Sequence, residues 1–376
     1  MLLAGGAIAA GAGQRAEAEI AGQRDALVAQ ASPRPAGQPA HHHGLHQGQR
    51  DRRRPPLSDD CTSLPPVTGA LTGVFSVAER DVWAVGASGT IVHYDGCWRA
   101  QPSPTSERLS AVWAAPGGVV WAVGIKGLTV RRDAGRWTVA PAPTVSPLNA
   151  VWGAAANDVW TVAENAQILH WNGNQWSVVL NRGMGQFSGI WGGASNDVWV
   201  VGRGRDLNND FASLLEHWDG SRWTESYTCN PAGSGNAAGG FASWLRDVSG
   251  VQGGSAWAVG RCIPGASLLG FDGLVWRSTG ETWGLLGQRT SALTGRPLDA
   301  VWARADDDVW AAPAASSPSG SATLIHFDGS VWTPSEDPNT VGISDISGTS
   351  ASDVWAVGEL GKRLHFDGVE WTLSTP

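Results

Sequence analysis

Along most of the chain, short apolar segments alternate with polar turns, and this alternation recurs as one repeated unit. In one copy the segments are Leu148–Trp152, Asp158–Val162 and Gln167–His170, followed by Asn172-Gly173 and then Trp176. Each segment is enriched in Val, Ile, Leu and Trp and is bounded by Gly, Asp or Asn. Such segments are typical of β-strands separated by turns. Each copy therefore predicts four consecutive strands.

Seven copies of this unit follow one another, beginning near Leu71, Leu109, Leu148, Phe187, Leu245, Leu298 and Ile343. Asp-Gly or Asn-Gly joins the third segment to the fourth in six of them, and the second copy has Asp133-Ala-Gly135 instead. These dipeptides supply the positive φ of a tight hairpin turn. Repeated four-stranded units are typical of propeller blades, and a closed ring of blades leaves no open sheet edge. The sequence therefore predicts an all-β, seven-bladed β-propeller with four-stranded antiparallel blades.

The residues before the repeat differ from it in composition. We therefore divide the whole chain into a leader or linker at 1–70 and a propeller at 71–376. Residues 31–56 are rich in Pro, His, Gln, Gly and Arg and lack apolar periodicity, so we expect them to be disordered. Residues 1–13 are small and apolar without a preceding cationic region, so they form a poor secretion signal, or the true start lies downstream. The histidines here belong to this low-complexity tract or bind a transition metal: His41, His42, His43 and His46.

Most of the 22 tryptophans belong to the repeat. The second segment of each copy supplies one Trp, and so does the fourth: Trp98, Trp137, Trp176, Trp223, Trp276, Trp332 and Trp371. Large aromatic side chains at fixed positions suit the wedges between neighbouring blades, so we interpret these columns as core. Trp244 and Trp283 fall outside every column.

Charge and hydropathy exclude two classes of partner. The net charge is −8, and the arginines are scattered, so the chain lacks the continuous basic surface that nucleic-acid binding needs. No apolar run approaches the roughly 18 residues of a membrane-spanning helix. We therefore expect neither a nucleic-acid partner nor a membrane span.

Histidines and aspartates also recur, in five of the seven copies. The histidines share one position in the third segment: His93, His170, His217, His326 and His365. In a ring these positions lie on different blades, so we expect each to bond within its own blade rather than to share a metal ion. The aspartates stand in the turns where the second segment begins, and there they are expected to accept backbone N–H groups: Asp81, Asp158, Asp197, Asp308 and Asp353.

The segment Asp-Val-Trp-Ala-Val-Gly followed by His-x-Asp-Gly-x-x-Trp resembles the Trp-rich propeller repeats of secreted proteins or lipoproteins of myxobacteria and related bacteria. It is more distantly similar to Asp-box (BNR) repeats and to photosystem-assembly-factor propellers. The resemblance covers residues 71–376 and implies the fold, together with a secreted or cell-envelope location in a bacterium. It says little of function, because such repeats occur in lectins, hydrolases and assembly factors alike.

The repeat is interrupted in copies 4 to 6. The extra residues fall in five places: 203–213, 225–243, 261–266, 280–296 and 314–322. All five lie between the second and third strands of a blade or between one blade and the next. In a four-stranded meander these connections emerge on the same face, which we call the insertion face. Because insertions in repeat arrays often decorate the binding face, we expect the ligand there.

The insertions contain residues that do not fit the repeat. Aromatic rings together with arginine and asparagine suit carbohydrate or protein surfaces. The predicted ligand-binding residues are Arg203, Arg205, Asn208, Asp210, Phe211, Tyr227, Arg261, Trp283 and Arg289. Trp244 is equally well explained as a structural plug against the blades.

Metal and cysteine chemistry add little. Asp206-x-Asn208-x-Asp210 has the alternating oxygens of a calcium loop, but the following glycine is missing and position twelve is His217 rather than Glu. We therefore predict no metal and no cofactor. Cys229 and Cys262 both lie on the insertion face and are a reasonable disulfide pair, and Cys61 with Cys97 is a second pairing.

Three functions remain open. The first is a non-catalytic, monomeric, secreted or cell-envelope module that binds a glycan or a protein on the insertion face. The second is a glycoside hydrolase of the Asp-box or sialidase type, which would need a tyrosine nucleophile beside an acid; Tyr94 abuts a turn, which leaves Tyr227. The third is an assembly scaffold. The sequence favours the first, because no nucleophile elbow, phosphate-binding glycine loop or metal motif is present.

Overall fold

A computed structural model describes residues 61, 69–205, 211–228, 243–262, 272–279, 282–286, 297–313, 324–335 and 342–374. Its strands form seven four-stranded antiparallel sheets, each built from four consecutive strands. The first strands of successive blades pack side by side, and the first strand of blade 7 packs against that of blade 1, which closes the ring. The predicted seven-bladed propeller is confirmed. The boundary between 1–70 and 71–376 stays a prediction, because residues 1–60 and 62–68 lie outside the described residues.

The strands of blades 1 to 3 are β1 (Leu71–Ala78), β2 (Asp81–Gly86), β3 (Ile91–Tyr94) and β4 (Trp98–Ala100); β5 (Leu109–Ala114), β6 (Val120–Gly124), β7 (Thr129–Asp133) and β8 (Arg136–Val139); β9 (Leu148–Ala155), β10 (Asp158–Ala163), β11 (Gln167–Trp171) and β12 (Trp176–Asn181). Those of blades 4 and 5 are β13 (Gln186–Ala194), β14 (Asp197–Arg205), β15 (Phe211–Trp218) and β16 (Trp223–Thr228); β17 (Ser243–Gly250), β18 (Ala256–Cys262), β19 (Asp272–Thr279) and β20 (Thr282–Leu285). Those of blades 6 and 7 are β21 (Leu298–Ala305), β22 (Asp308–Pro313), β23 (Ile325–Phe327) and β24 (Trp332–Pro334); β25 (Ile343–Ser350), β26 (Asp353–Gly358), β27 (Arg363–Phe366) and β28 (Trp371–Leu373). Single 3₁₀ turns occupy Ala87–Gly89, Ile125–Gly127 and Glu359–Gly361.

Tryptophans join each blade to the next. The fourth-strand Trp of one blade meets the second-strand Trp of the preceding blade edge to face, with interplanar angles such as 71° for Trp83 and Trp137. The remaining pairs are Trp121–Trp176, Trp160–Trp223, Trp199–Trp283, Trp257–Trp332, Trp310–Trp371 and, across the ring closure, Trp355–Trp98. Edge-to-face pairs add to the stabilisation from burial alone. The tryptophan columns are core, as predicted.

Blade 5 departs from the predicted alignment. Trp276 lies in the third strand, opposite Ala258, and Trp283 stands in the fourth strand, opposite Ser278. Asp272-Gly273 pairs with β18 instead of forming the turn between the third and fourth strands. The prediction that Trp283 falls outside the columns was therefore wrong. Its ring is the fourth-column Trp of this blade and packs on Trp199 at 5.1 Å.

First-strand tryptophans contact the next blade through glycine. The ring of Trp113 covers Gly153, where an added Cβ would lie 2.8 Å from a ring carbon. Trp152, Trp191 and Trp302 cover Gly192, Gly250 and Gly348 in the same way. Where the first strand carries Phe or Ser instead, the next blade has a larger residue than Gly at that position: Ala114 after Phe75, Ala303 after Ser249 and Ser76 after Ser347. The two positions are therefore sterically coupled between neighbouring blades.

The repeated histidines are structural, as predicted. In blade 1, His93 Nε2 donates to Asp81 Oδ1 at 2.8 Å, and Trp83 Nε1 donates to the same oxygen at 2.9 Å. The imidazole stacks on the Trp83 ring with centroids 4.0 Å apart. His170, His217, His326 and His365 bond the aspartates of their own blades at 2.7–2.9 Å. Among the described residues, the donors to these aspartates are side chains and not the predicted backbone N–H groups, so that part of the prediction was wrong.

Blades 2 and 5 replace the histidine with arginine. Arg131 and Arg277 stand opposite the second-strand tryptophans, and their guanidinium carbons lie 5.7 and 5.2 Å from the Trp121 and Trp257 ring centroids. A cation over an aromatic face therefore substitutes for the stacked imidazole.

One of the two proposed cysteine pairs is present. Cys61 and Cys97 form a disulfide with Cα atoms 5.5 Å apart, which fastens the segment before β1 to the turn between β3 and β4. Cys229 and the side chain of Cys262 lie outside the described residues, so their pairing stays a prediction.

Candidate functional site

The structure describes part of the predicted ligand-binding set. Asn208, Asp210 and Arg289 lie outside the described residues, as does the proposed calcium loop; Phe211 begins β15, but its side chain is likewise outside. The side chains of Arg203, Arg205, Tyr227, Arg261 and Trp283 are described. Of these, Trp283 belongs to the blade core.

The insertions are partly strand rather than loop. In blade 4 the extra residues lengthen the central hairpin: β14 and β15 have nine and eight residues, whereas β10 and β11 of blade 3 have six and five. Arg203 and Arg205 lie in the added part of β14, opposite Ser213 and Phe211. The segments 225–243 and 280–296 likewise include the end of β16 and the whole of β20.

Three arginine side chains surround Trp244. The guanidinium carbons of Arg203, Arg246 and Arg261 lie 4.2, 4.0 and 5.3 Å from the Trp244 ring centroid. The indole Nε1 of Trp244 donates to Ser188 Oγ on β13 at 2.6 Å, which holds the ring between blades 4 and 5. We call these four residues, Arg203, Trp244, Arg246 and Arg261, the arginine–tryptophan cluster.

The three arginines of the cluster lie close enough to affect one another's pKa values. Burial lowers the pKa of Arg203, the positive charge of Arg246 lowers it further, and the negative charge of Glu164 opposes both effects. Burial also lowers the pKa of Arg261, and the charges of Arg246 and Arg203 add to this effect, whereas the charge of Asp299 opposes it. Arg246 Nε contacts Asp299 Oδ1 at 3.0 Å. The arginines therefore repel one another, and an anionic group brought between them would relieve that repulsion.

The sequence interpretation missed two members of this cluster. Trp244 is explained equally well by its sequence as a structural plug, and its hydrogen bond to Ser188 does fasten two blades. Its ring also lies within 5.3 Å of all three guanidinium carbons. Arg246 is absent from the predicted ligand-binding residues. The sequence does carry a signal for Arg246, because no other blade has a basic residue at this repeat position. The other six blades have Thr72, Ser110, Asn149, Ser188, Asp299 and Ser344 there.

Tyr227 belongs to a second polar cluster, between blades 3 and 4. Arg182 makes a bidentate pair with the fully buried Glu216, at 2.5 and 2.7 Å, and also contacts Glu225 Oε2 at 3.0 Å. The phenol of Tyr227 donates to Glu225 Oε1. Glu216 occupies a core column that holds Leu169 in blade 3 and Leu364 in blade 7.

This second cluster bears on the hydrolase alternative. Burial raises the pKa of Tyr227, and its hydrogen bond to Glu225 and the nearby negative charge raise it further, which disfavours the phenolate. The carboxylates of Glu216 and Glu225 both form ion pairs with Arg182. The hydrogen bond to Glu216 raises the pKa of Arg182. Burial also raises the pKa of Glu216, against the opposing effect of Arg182. The arrangement holds the two blades together and directs the guanidinium inward.

Comparison with known proteins identifies the fold. No family model matches the chain, and no curated protein matches its sequence. Among solved structures, it is similar to YCF48 bound to a D1 peptide, with a TM-score of 0.55 and 15% identity over 81% of this chain and 94% of that one. YCF48 is a photosystem assembly factor.

Two further solved structures share the fold. The WD40 propeller domain of Doa1 gives a TM-score of 0.54 at 11% identity, over 79% of this chain and 92% of that one. The extracellular domain of a hybrid two-component system from B. thetaiotaomicron gives 0.56 at 10% identity, over 81% of this chain and 41% of that one. The predicted similarity to the photosystem-assembly-factor type of propeller is thus confirmed as one of fold. Within the described residues, no helix is long and apolar enough to cross a membrane.

Proposed function

We propose that the chain is a non-catalytic binding module that recognises an acidic segment of a partner protein through the arginine–tryptophan cluster. The observation that carries the proposal is the convergence of Arg203, Arg246 and Arg261 on one indole ring at the insertion face. In a protein of net charge −8, this local concentration of arginine side chains is an attractive site for a carboxylate.

The chemistry of the cluster favours a peptide over a neutral sugar. Guanidinium groups form bidentate pairs with carboxylates, and the half-buried Trp244 offers an apolar surface for a neighbouring side chain. Ligand recognition by a propeller has a precedent in the YCF48 structure, which holds a D1 peptide. Secretion or attachment to a bacterial cell envelope, and a monomeric state, are parts of the proposal. The Cys61–Cys97 disulfide supports an oxidising compartment.

Matched peptide pools test the proposal. One pool of labelled peptides carries Asp and Glu at fixed positions, and the other carries Asn and Gln at the same positions. We expect the full chain to bind the acidic pool more tightly by about 10-fold or more, because the amides cannot neutralise the arginines. Fluorescence polarisation measures both affinities, and binding should weaken with added salt.

Charge-removing variants locate the binding surface. Arg203→Gln and Arg261→Gln should each weaken binding to the acidic pool by about 10-fold. Arg222→Gln is the matched control, because Arg222 is 80% exposed beside Asp219 in a blade 4 turn, away from the cluster. Equal binding of both pools, or full affinity in both cluster variants, would contradict the proposal. A glycan-array signal that survives Arg203→Gln would favour a sugar ligand instead.

The hydrolase alternative has a separate test. We expect the wild-type chain to release no fluorophore from a sialoside or from other fluorogenic glycosides, because Tyr227 is held as a neutral phenol. Turnover that is present in the wild type and abolished in Tyr227→Phe would establish the hydrolase. Asp-box similarity would then extend to activity.

A further inference from the structure

The first strands of the seven blades line an open cavity of about 330 Å³ on the propeller axis. Much of its wall is aromatic, from Phe75, Trp113, Trp152, Trp191 and Trp302. The polar part of the wall comes from blades 5, 7 and 1, through Asp247, Ser249, Asp345, Ser347 and Ser76. This volume lies at the lower end of the range typical of small-molecule sites.

Asp247 and Asp345 are exceptional within their column. In the other five blades the same register position holds a residue with little or no side chain: Gly73, Ala111, Ala150, Gly189 and Ala300. Both aspartates are followed two residues later by serine, where most other first strands have Trp. The Asp-x-Ser pair therefore replaces the apolar lining of the cavity in two of the seven blades.

Both carboxylates are held in place by backbone groups. Asp247 accepts the N–H of Val248 at 2.8 Å and of Val301, in the next blade, at 2.9 Å. Asp345 accepts the N–H of Ile346 at 2.9 Å and of Val74, across the ring closure, at 2.8 Å. A carboxylate has about four acceptor sites, so each keeps capacity for a further donor. Within the described ranges, neither aspartate forms an ion pair.

The two carboxyl groups in the cavity wall both have raised pKa values. Burial raises the pKa of Asp247 to about 7, and the charge of Asp299 adds to the effect. Burial and the charge of Asp247 raise the pKa of Asp345 well above its usual value. The nearby cation Arg246 pairs with Asp299. A positive group placed in the cavity would therefore favour the ionised form of both aspartates.

A third polar group in the same wall lacks a partner. The hydroxyl of Ser76 is buried and forms no hydrogen bond within the described structure, and the residue is only 8% exposed. Its own backbone N–H donates to Ser347 Oγ at 2.9 Å. Because buried hydroxyl groups are nearly always hydrogen-bonded, this oxygen is available to a donor inside the cavity.

We propose that the axial cavity binds an organic cation, an alkylammonium or guanidinium group held by Asp247 and Asp345 against the aromatic wall. Ammonium and guanidinium groups donate to carboxylates and are attracted to the faces of aromatic rings. A divalent metal ion fits less well, because calcium takes six to eight oxygen ligands. The described residues contain no group of three or more acidic, histidine or cysteine side chains that could hold a metal ion.

Titration calorimetry on the full chain tests this with 1,4-diaminobutane, using 1,4-butanediol as the neutral analogue and calcium chloride as the metal. We expect the diamine to bind at least about 10-fold more tightly than the diol. Burial raises the pKa of both aspartates, and that of Asp247 to about 7, so raising the pH from 6 to 8 favours the ionised form that binds a cation. Diamine affinity should therefore rise by up to about 10-fold over that interval.

Asp247→Asn and Asp345→Asn keep the shape of each side chain and one acceptor oxygen. Each should reduce diamine affinity by about 10-fold and diminish its pH dependence. Asp367→Asn is the control, because Asp367 occupies an exposed turn of blade 7 and likewise accepts two backbone N–H groups. Near-ultraviolet circular dichroism checks that each variant is folded. Four outcomes would overturn the proposal. The diamine does not bind, the diol binds equally well, both folded variants keep full affinity for the diamine, or the chain binds calcium and loses that binding in the two variants.

Discussion

Arg182→Ala is expected to destabilise the folded protein by about 3–5 kcal/mol at pH 8, because it leaves Glu216 buried and without its bidentate partner. The side chain of Glu216 is fully buried, so water cannot replace the lost guanidinium. Glu225 loses a contact with Arg182 as well. Urea denaturation followed by tryptophan fluorescence measures the change.

The pH dependence of this loss follows from the pKa of Glu216, which burial already raises. A carboxyl group with a raised folded-state pKa stabilises the fold below its unfolded-state pKa, and this contribution is lost as pH rises through the folded-state pKa. Removing Arg182 raises that pKa further. The destabilisation should therefore be much smaller near pH 5 than at pH 8.

Two variants serve as controls for this prediction. Arg222→Ala removes an exposed arginine with an ion-pair distance of 3.6 Å, so it should change the free energy of unfolding by less than about 0.5 kcal/mol. Glu216→Leu introduces the leucine that stands at this position in blade 3. In the Glu216→Leu background, Arg182→Ala should lower the free energy of unfolding only slightly, because no buried carboxylate is left unpaired. A loss that is the same at both pH values and in both backgrounds would contradict the buried-pair explanation.

Gly153→Ala is expected to cost about 2 kcal/mol, because the new methyl group would lie 2.8 Å from a carbon of the Trp113 ring. Trp113 is itself only 4% exposed, so its ring has little room to move. Urea denaturation again measures the difference. Gly284→Ala is the matched control, because Gly284 is also in a strand, and among the described residues the atom nearest to an added Cβ is the Arg277 carbonyl oxygen, 4.0 Å away.

A second substitution tests the mechanism. Trp113→Phe combined with Gly153→Ala recreates the natural pair of blades 1 and 2, where Phe75 precedes Ala114. We expect the cost of Gly153→Ala to fall to a few tenths of a kcal/mol in the Trp113→Phe background, since the smaller ring leaves space. Strict additivity of the two substitutions would show that the ring and the glycine are not coupled.

The fold was predictable because its information is local and repeated. Strand length, turn dipeptides and tryptophan spacing each occur within one copy, and seven copies average out the exceptions. The alignment was wrong in blade 5, where Asp272-Gly273 resembles a turn. There the register is set by Arg277 opposite Trp257, in the place of the usual histidine, and insertions made the sequence spacing uninformative.

The candidate site was only partly predictable. The insertions indicated the face, and Arg203 and Arg261 belong to the arginine–tryptophan cluster. Arg246 was missed because it lies inside a strand that otherwise fits the repeat. Trp283 was misassigned because Asp272-Gly273 resembles the turn between the third and fourth strands. Tyr227 is part of a polar cluster that joins Arg182, at the end of blade 3, to Glu216 and Glu225 of blade 4.

The sequence by itself determined the number of strands and blades and the structural role of the tryptophan and histidine columns. Each of these depends on short-range patterns that every copy repeats. The tertiary structure alone decided which side chains meet across blades: Arg203 of blade 4 on Trp244 of blade 5, a bidentate pair at Glu216, and two aspartates on one axial cavity. These contacts join residues from neighbouring or more distant blades. Their geometry depends on strand register and blade packing, which a pattern within one copy does not encode.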